Sequence, residues 1–108
     1  MEQLIIQEKN APNYILLELT GPINSYTFAE FEKRAYEIIK ETHLVLDMSK
    51  VSAIDSCGLS VLFGCFNDGK PKGFTVFLLK PSAAVMDALA ATGFDDTFRR
   101  IYSVTEIA

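Results

Sequence analysis

The 108 residues carry 10 basic against 14 acidic side chains, a net charge of −4, and are 49% hydrophobic. Such a chain makes one compact domain over 1–108 with a real core. Lys33-Arg34 and Arg99-Arg100 are isolated pairs, so the concentrated cationic surface needed for non-specific nucleic-acid binding is missing. The longest apolar runs fall far short of the ~20 residues that span a bilayer. No charged and then apolar leader opens the chain. The expectation is a cytoplasmic protein with neither nucleic acid nor membrane as partner.

In chain order, residues 4–8 and 14–19 read as strands, and the turn-prone Asn10-Ala11-Pro12-Asn13 between them predicts a hairpin. Thr20-Gly21-Pro22 is expected to break the ladder, because proline has no N–H to donate. Thr27-Phe28-Ala29-Glu30 has the pattern of a capping box and predicts a helix to about Lys40. Phe28, Phe31, Ala35, Ile38 and Ile39 form its apolar stripe, with Glu30, Lys33, Arg34 and Glu37 on the wet side. His43 is read as ending this helix, where a cation is mildly favoured.

Residues 44–48 are short and almost wholly apolar, as expected of a central strand covered on both faces. Asp47 marks its expected end. A loop, Ser49 to Asp55, then leads to a second helix over about 57–67, closed by Asn67-Asp68-Gly69. Residues 74–79 are a further strand covered on both faces. Pro81-Ser82 opens a third helix carrying Val85, Met86 and Leu89, with Gly93 as its C′ residue. A short strand over 98–102 and a second capping-box pattern, Ser103 to Glu106, complete the chain. The order β-β-α-β-α-β-α-β predicts a single α/β domain, a mixed sheet with an N-terminal hairpin and helices packed against it.

The chemistry concentrates in Ile54-Asp55-Ser56-Cys57-Gly58-Leu59, where a strand-to-loop segment becomes a helix. Free backbone N–H groups and the positive end of the helix dipole meet there, a favourable place for a phosphorylated hydroxyl. Ser56 is read as a regulatory phosphorylation site on a binding module rather than as a nucleophile. The structural alternative is an ordinary N-terminal helix residue beside an Asp55 N-cap. Gly58 reads as a close-packing position; one glycine makes no nucleotide loop.

Cys57 at a helix start raises an enzyme alternative. Thiol enzymes also need an arginine-bearing loop or a general acid or base nearby. Gly58-Leu59-Ser60-Val61 offers neither, and His43 has no catalytic partner in the sequence. Cys57 and Cys65 are eight residues apart on one helix, roughly 12 Å of rise, too far to form a disulfide. With a single histidine, a metal site is poorly supported. No cofactor is expected.

On the second helix the apolar residues 59, 61, 62, 63, 65 and 66 spread over about 200°, twice an ordinary core stripe. Leu62 lies near the middle and should be buried. One rim, Leu59 and Phe63 or else Val61, is left partly exposed. The opposite arc, Cys57, Ser60, Gly64 and Asn67, carries no charge. Such a helix suits a protein contact, unless the last helix or a second copy covers it. Pro22, Asn24 and Tyr26, in the connector after the second strand, are expected beside Ser56.

Asp55-Ser56-Cys57-Gly58-Leu59 resembles the Asp-Ser-(Ser/Thr)-Gly-Leu signature of bacterial anti-sigma factor antagonists, the stand-alone STAS domains. Residues 19–24 are similar to that family's Leu-x-Gly-x-Leu-Asp segment. Residues 44–48 with Val51 and Ile54 resemble its strand and approach to the site, and 81–94 its third helix and turn. Cys57 stands where the family has a hydroxyl, Asn24 where aspartate is common and Pro22 where a polar residue is common.

The resemblance implies a partner switch. The serine matching Ser56 is phosphorylated by an anti-sigma factor that is a serine kinase of the histidine-kinase-like ATPase type. The unmodified antagonist binds that kinase and frees a sigma factor for transcription. The phosphorylated form lets go, and a metal-dependent serine phosphatase restores it. Partner-binding residues expected on this basis are Pro22, Asn24, Tyr26, Asp55, Cys57, Gly58, Leu59, Ser60 and Phe63. STAS domains also serve as adaptors in other signalling or transport complexes, without a sigma factor, and the sequence leaves that alternative open.

Overall fold

A computed structural model of the chain describes residues 2–107. Five strands lie side by side in the order β1-β2-β3-β4-β5: β1 (Ile5–Asn10), β2 (Tyr14–Ile23), β3 (His43–Ile54), β4 (Val76–Leu79) and β5 (Arg99–Ile101). The β1–β2 hairpin is antiparallel, and every later pair is parallel. The crossovers are α1 (Phe28–Ile39), α2 (Ser56–Gly69) and α3 (Ala83–Thr92). The mixed sheet with an N-terminal hairpin is thus as the sequence predicts.

All three helices pack on one face of the sheet. Phe31, Ala35, Ile38 and Ile39 of α1 are buried against Leu17, Leu19, Leu44, Leu46 and Met48, together with Val61, Leu62 and Cys65 of α2 and Val85 and Leu89 of α3. Each large apolar side chain so buried contributes about 1.5–3 kcal/mol. The other face holds a smaller cluster, Leu16, Val45, Phe77, Leu79 and Ile101, flanked by Tyr14 and Ile107. The central strands are therefore buried on both faces, but helices cover only one. Chain residues near the C-terminus, bent back by the Ser103–Glu106 capping box, lie over the second.

Five local expectations need correction. β2 does not stop at Thr20-Gly21-Pro22 but continues to Ile23. Pairing with β1 ends at Thr20, so beyond it Pro22 occupies a locally free edge where no N–H is required. Gly21 (φ +110°) takes up the irregular register there. β3 likewise runs through the expected loop to Ile54, because these residues pair in parallel with the extended β2: Thr20 with Lys50, Gly21 with Val51, Pro22 with Ala53 and Ile23 with Ile54. Asp47 is consequently mid-strand, its carboxylate accepting from the Ser49 N–H and hydroxyl.

Thr27 caps nothing: its hydroxyl donates to the Pro22 carbonyl (2.8 Å) and accepts from Asn24 N–H (2.9 Å). The Asn24 N–H takes the hydroxyl oxygen that the first amides of α1 would have used. His43 opens β3 rather than closing α1, and its Nδ1 accepts from Thr75 N–H (2.9 Å) between the rings of Phe74 and Phe77. By contrast, Ser82 caps α3 and Gly93 ends it at φ +78°, both as expected.

Candidate functional site

The extensions of β2 and β3 end as a pair, Ile23 beside Ile54, and Asp55 N–H donates to the Ile23 carbonyl (3.1 Å). This pairing sets the end of β2 against the start of α2. Asp55 is extended (φ −110°, ψ −168°), and one carboxylate oxygen accepts from Cys57 N–H (2.9 Å) and Gly58 N–H (3.4 Å). Such an N-cap stabilises a helix by about 1 kcal/mol. Ser56, the first helical residue, is exposed. Among the described residues its hydroxyl has no hydrogen-bond partner, and its carbonyl accepts from the Ser60 hydroxyl (2.8 Å).

Asp55 thus holds the amides of Cys57 and Gly58, which are the groups that would otherwise cradle an anion at this helix start. A phosphate on Ser56 would lie beside a carboxylate instead of in an amide nest. Asp55 shapes the helix entrance; it does not hydrogen-bond the serine hydroxyl.

Gly58 is buried with the helix pressed onto the strand ends: a Cβ there would stand 2.6 Å from Ile54 Cγ1 and 2.7 Å from Ile23 Cγ2. In the connector, the Asn24 side chain accepts from Tyr26 N–H (2.9 Å), and the Asn24 carbonyl accepts from Thr27 and Phe28 N–H. Tyr26, at the tip of this tight turn, is 77% exposed, while Pro22 is half-buried beneath. The Asp55–Ile23 hydrogen bond joins the two segments at their strand ends, while Tyr26 itself lines a shallow depression with Gln3, Leu4 and Ile6 on the β1 side.

Along α2, Val61 and Leu62 are buried, whereas Leu59 and Phe63 are half-buried. The wide apolar arc is divided between two neighbours. On the α1 side the Tyr36 hydroxyl fills the space that a side chain at Gly64 would need. On the other, Phe63 meets Phe94 edge-on (6.2 Å) and Phe98 at a tilt (5.2 Å). Phe94, overlooked in the sequence, is 63% exposed. A large apolar residue directly after a C′ glycine and before Asp95-Asp96 is the signal that could have found it.

Cys57 is half-buried and Cys65 buried, and both are free thiols. Burial, with Asp68 and Glu32 adding to it, pushes the Cys65 thiol up to about 12. His43, at the far end of β3 from Asp55, cannot serve Cys57 as a base. No helix among the described residues is long and apolar enough to cross a membrane.

A mixed sheet with a hairpin edge and an N-capped helix presenting an exposed serine at its entrance define a small α/β domain with an accessible hydroxyl. Residues 5–108 match the family model of the STAS domain, and the chain belongs to that family. Among solved structures it is similar to a Thermotoga maritima protein thought to be an anti-sigma factor antagonist (TM-score 0.82, 20% identity, covering 94% of this chain and 89% of that one). It is also similar to the anti-sigma factor antagonist SpoIIAA in its unphosphorylated form (0.80, 16%, 95% and 93%). The phosphorylated form of SpoIIAA, a Bacillus cell fate determinant, compares similarly (0.75, 15%, 95% and 96%). At these identities the likeness is one of fold.

Proposed function

We propose that this STAS domain is an anti-sigma factor antagonist in a bacterial partner switch. Unphosphorylated, it binds an anti-sigma factor that is a serine kinase of the histidine-kinase-like ATPase type, releasing a sigma factor. Phosphorylation of Ser56 abolishes that binding, and a metal-dependent serine phosphatase reverses it. The domain acts by binding and not as an enzyme, and the switch operates in the cytoplasm.

One observation carries the reading: the Ser56 hydroxyl is exposed and free at the head of a helix with no charged side chain from Ser56 to Asn67. A kinase can reach it, and a partner can dock over the helix without desolvating a charge. Phosphate adds about −1.5 to −2 charge, and here it would do so beside the Asp55 carboxylate. Burying that charge in a docked interface costs several kcal/mol. Pro22, Asn24, Tyr26, Asp55, Cys57, Gly58, Leu59, Ser60 and Phe63 are the proposed contact residues around it. That SpoIIAA has been solved in unphosphorylated and phosphorylated forms supports the same cycle for a chain of this fold.

The test is incubation with ATP and the kinase-type anti-sigma factor of the same organism, read by mass spectrometry and binding. One phosphate on Ser56, none on Ser56→Ala, and affinity lowered at least tenfold in Ser56→Asp are the expected results, since ~1.4 kcal/mol is already a factor of ten. Binding indifferent to both substitutions would replace the switch by a scaffold role in another complex.

A further inference from the structure

Phe94 combines exposure with a rigid mounting. Gly93 turns the chain in the left-handed region (φ +78°). The Phe94 N–H donates to the Thr92 hydroxyl oxygen (3.1 Å), and that hydroxyl donates to the Leu89 carbonyl (2.6 Å). The Phe94 carbonyl accepts from Thr97 N–H (3.1 Å). An aromatic side chain left 63% exposed on a backbone tied at both sides gives up little conformational freedom when it is buried by a partner.

Its location extends the Ser56 surface. Phe63 lies seven residues, about two turns, beyond Ser56 on the same side of α2, with Leu59 and Ser60 between them. Phe94 stands edge-on to Phe63, and Phe63 rests on the buried Phe98. An uncharged strip therefore runs from Ser56 down the helix to the exposed phenyl ring. Acidic groups stand at both ends of it, Asp55 at the head and Asp95-Asp96 in the turn that carries Phe94. Lys70, at the end of α2, leans over the Phe66 ring instead (5.8 Å).

We infer that Phe94 is the apolar anchor of a protein-docking strip that starts at Ser56. It enters a socket rimmed by lysine or arginine side chains on the partner. The acidic border selects this occupant over a second copy of the chain, which would bring aspartates against aspartates. The inference rests on the partner-switch reading and names the part of the surface, remote from the phosphorylation site, that supplies affinity.

The experiment measures binding of the unphosphorylated domain to the kinase-type anti-sigma factor that modifies it. Phe94→Ser is expected to weaken binding at least about tenfold, as exposed aromatic anchors do. Tyr102→Ser, another exposed aromatic at 67% beyond β5, is expected to bind as wild type. Asp95→Lys with Asp96→Lys is expected to slow association severalfold at low salt and much less at high salt. Melting curves confirm folding; if Phe94→Ser is destabilised, the charge-reversed variant decides. Near wild-type affinity in Phe94→Ser, while Ser56→Asp still dissociates, overturns the anchor and leaves the switch standing. Failure of the wild-type domain to bind any such kinase removes both. Concentration-dependent self-association lost in Phe94→Ser assigns the strip to a second copy and overturns the inference.

Discussion

Replacing Gly58 by alanine sets two physical effects of opposite sign against each other. In a helix interior the exchange gains up to about 1 kcal/mol, because alanine is the better helix former. At this position the added methyl would stand 2.6 Å from Ile54 Cγ1, 2.7 Å from Ile23 Cγ2 and 3.0 Å from Ile54 Cδ1. The two γ carbons are attached directly to stiff, β-branched centres and cannot swing aside without changing χ1. Ile23 is fully buried, so its own neighbours oppose that rotation. Overpacking then sits near the upper end of its usual range, about 3 kcal/mol, and the net loss is about 2 kcal/mol. For a domain of this size that lowers the melting temperature by roughly 8–16 °C. Urea titration followed by circular dichroism measures it, with the slope expected to stay constant while the midpoint falls. An alanine variant equal to or more stable than wild type would show that α2 lifts from the Ile23–Ile54 pair at no cost, refuting the close-packing role of Gly58.

Asp55→Ala removes the acceptor for Cys57 and Gly58 N–H and is expected to cost about 1 kcal/mol; Asp55→Asn keeps an acceptor and should cost much less, a contrast visible in parallel denaturation curves. The Glu8 carboxyl is held below its ordinary value of 4.5, chiefly by its hydrogen bonds with the Arg34 guanidinium (2.6 and 2.7 Å). The stability this pair contributes is complete above that ordinary value and is lost as pH falls through the lowered one. Both groups are partly exposed, so Glu8→Gln is expected to cost only about 0.5–1 kcal/mol at neutral pH, a gap that closes on acidification; a pH-independent gap would contradict the assignment. In the native protein a maleimide is expected to modify the half-buried Cys57 and spare Cys65, whose thiol is buried and pushed up to about 12. Equal labelling of both by peptide mapping would mean that α2 opens from the sheet on the assay timescale.

Local pattern alone carried much of this molecule. The spacing of Phe31, Ala35, Ile38 and Ile39 places one side of α1 in the core, because a helix returns to the same face every 3.6 residues whatever surrounds it. Ser82 and Gly93 bracket α3, and Asp55 caps α2, since these side chains and backbone angles act within a turn of where they stand. The serine at the head of an uncharged helix is legible for the same reason.

Long-range competition decided the rest. Residues 49–53, with two serines and a lysine, look like a loop and become strand only because the end of β2 lies alongside. His43 serves β3 because Thr75 N–H is there to donate to it. Phe94 carries no periodic signal, and only the turn around it and the ring of Phe63 leave it facing out. Periodicity and capping depend on neighbours a few residues away, which a sequence records directly. Which strand ends lie side by side, and which face of an aromatic stays wet, depend on atoms brought close only by folding.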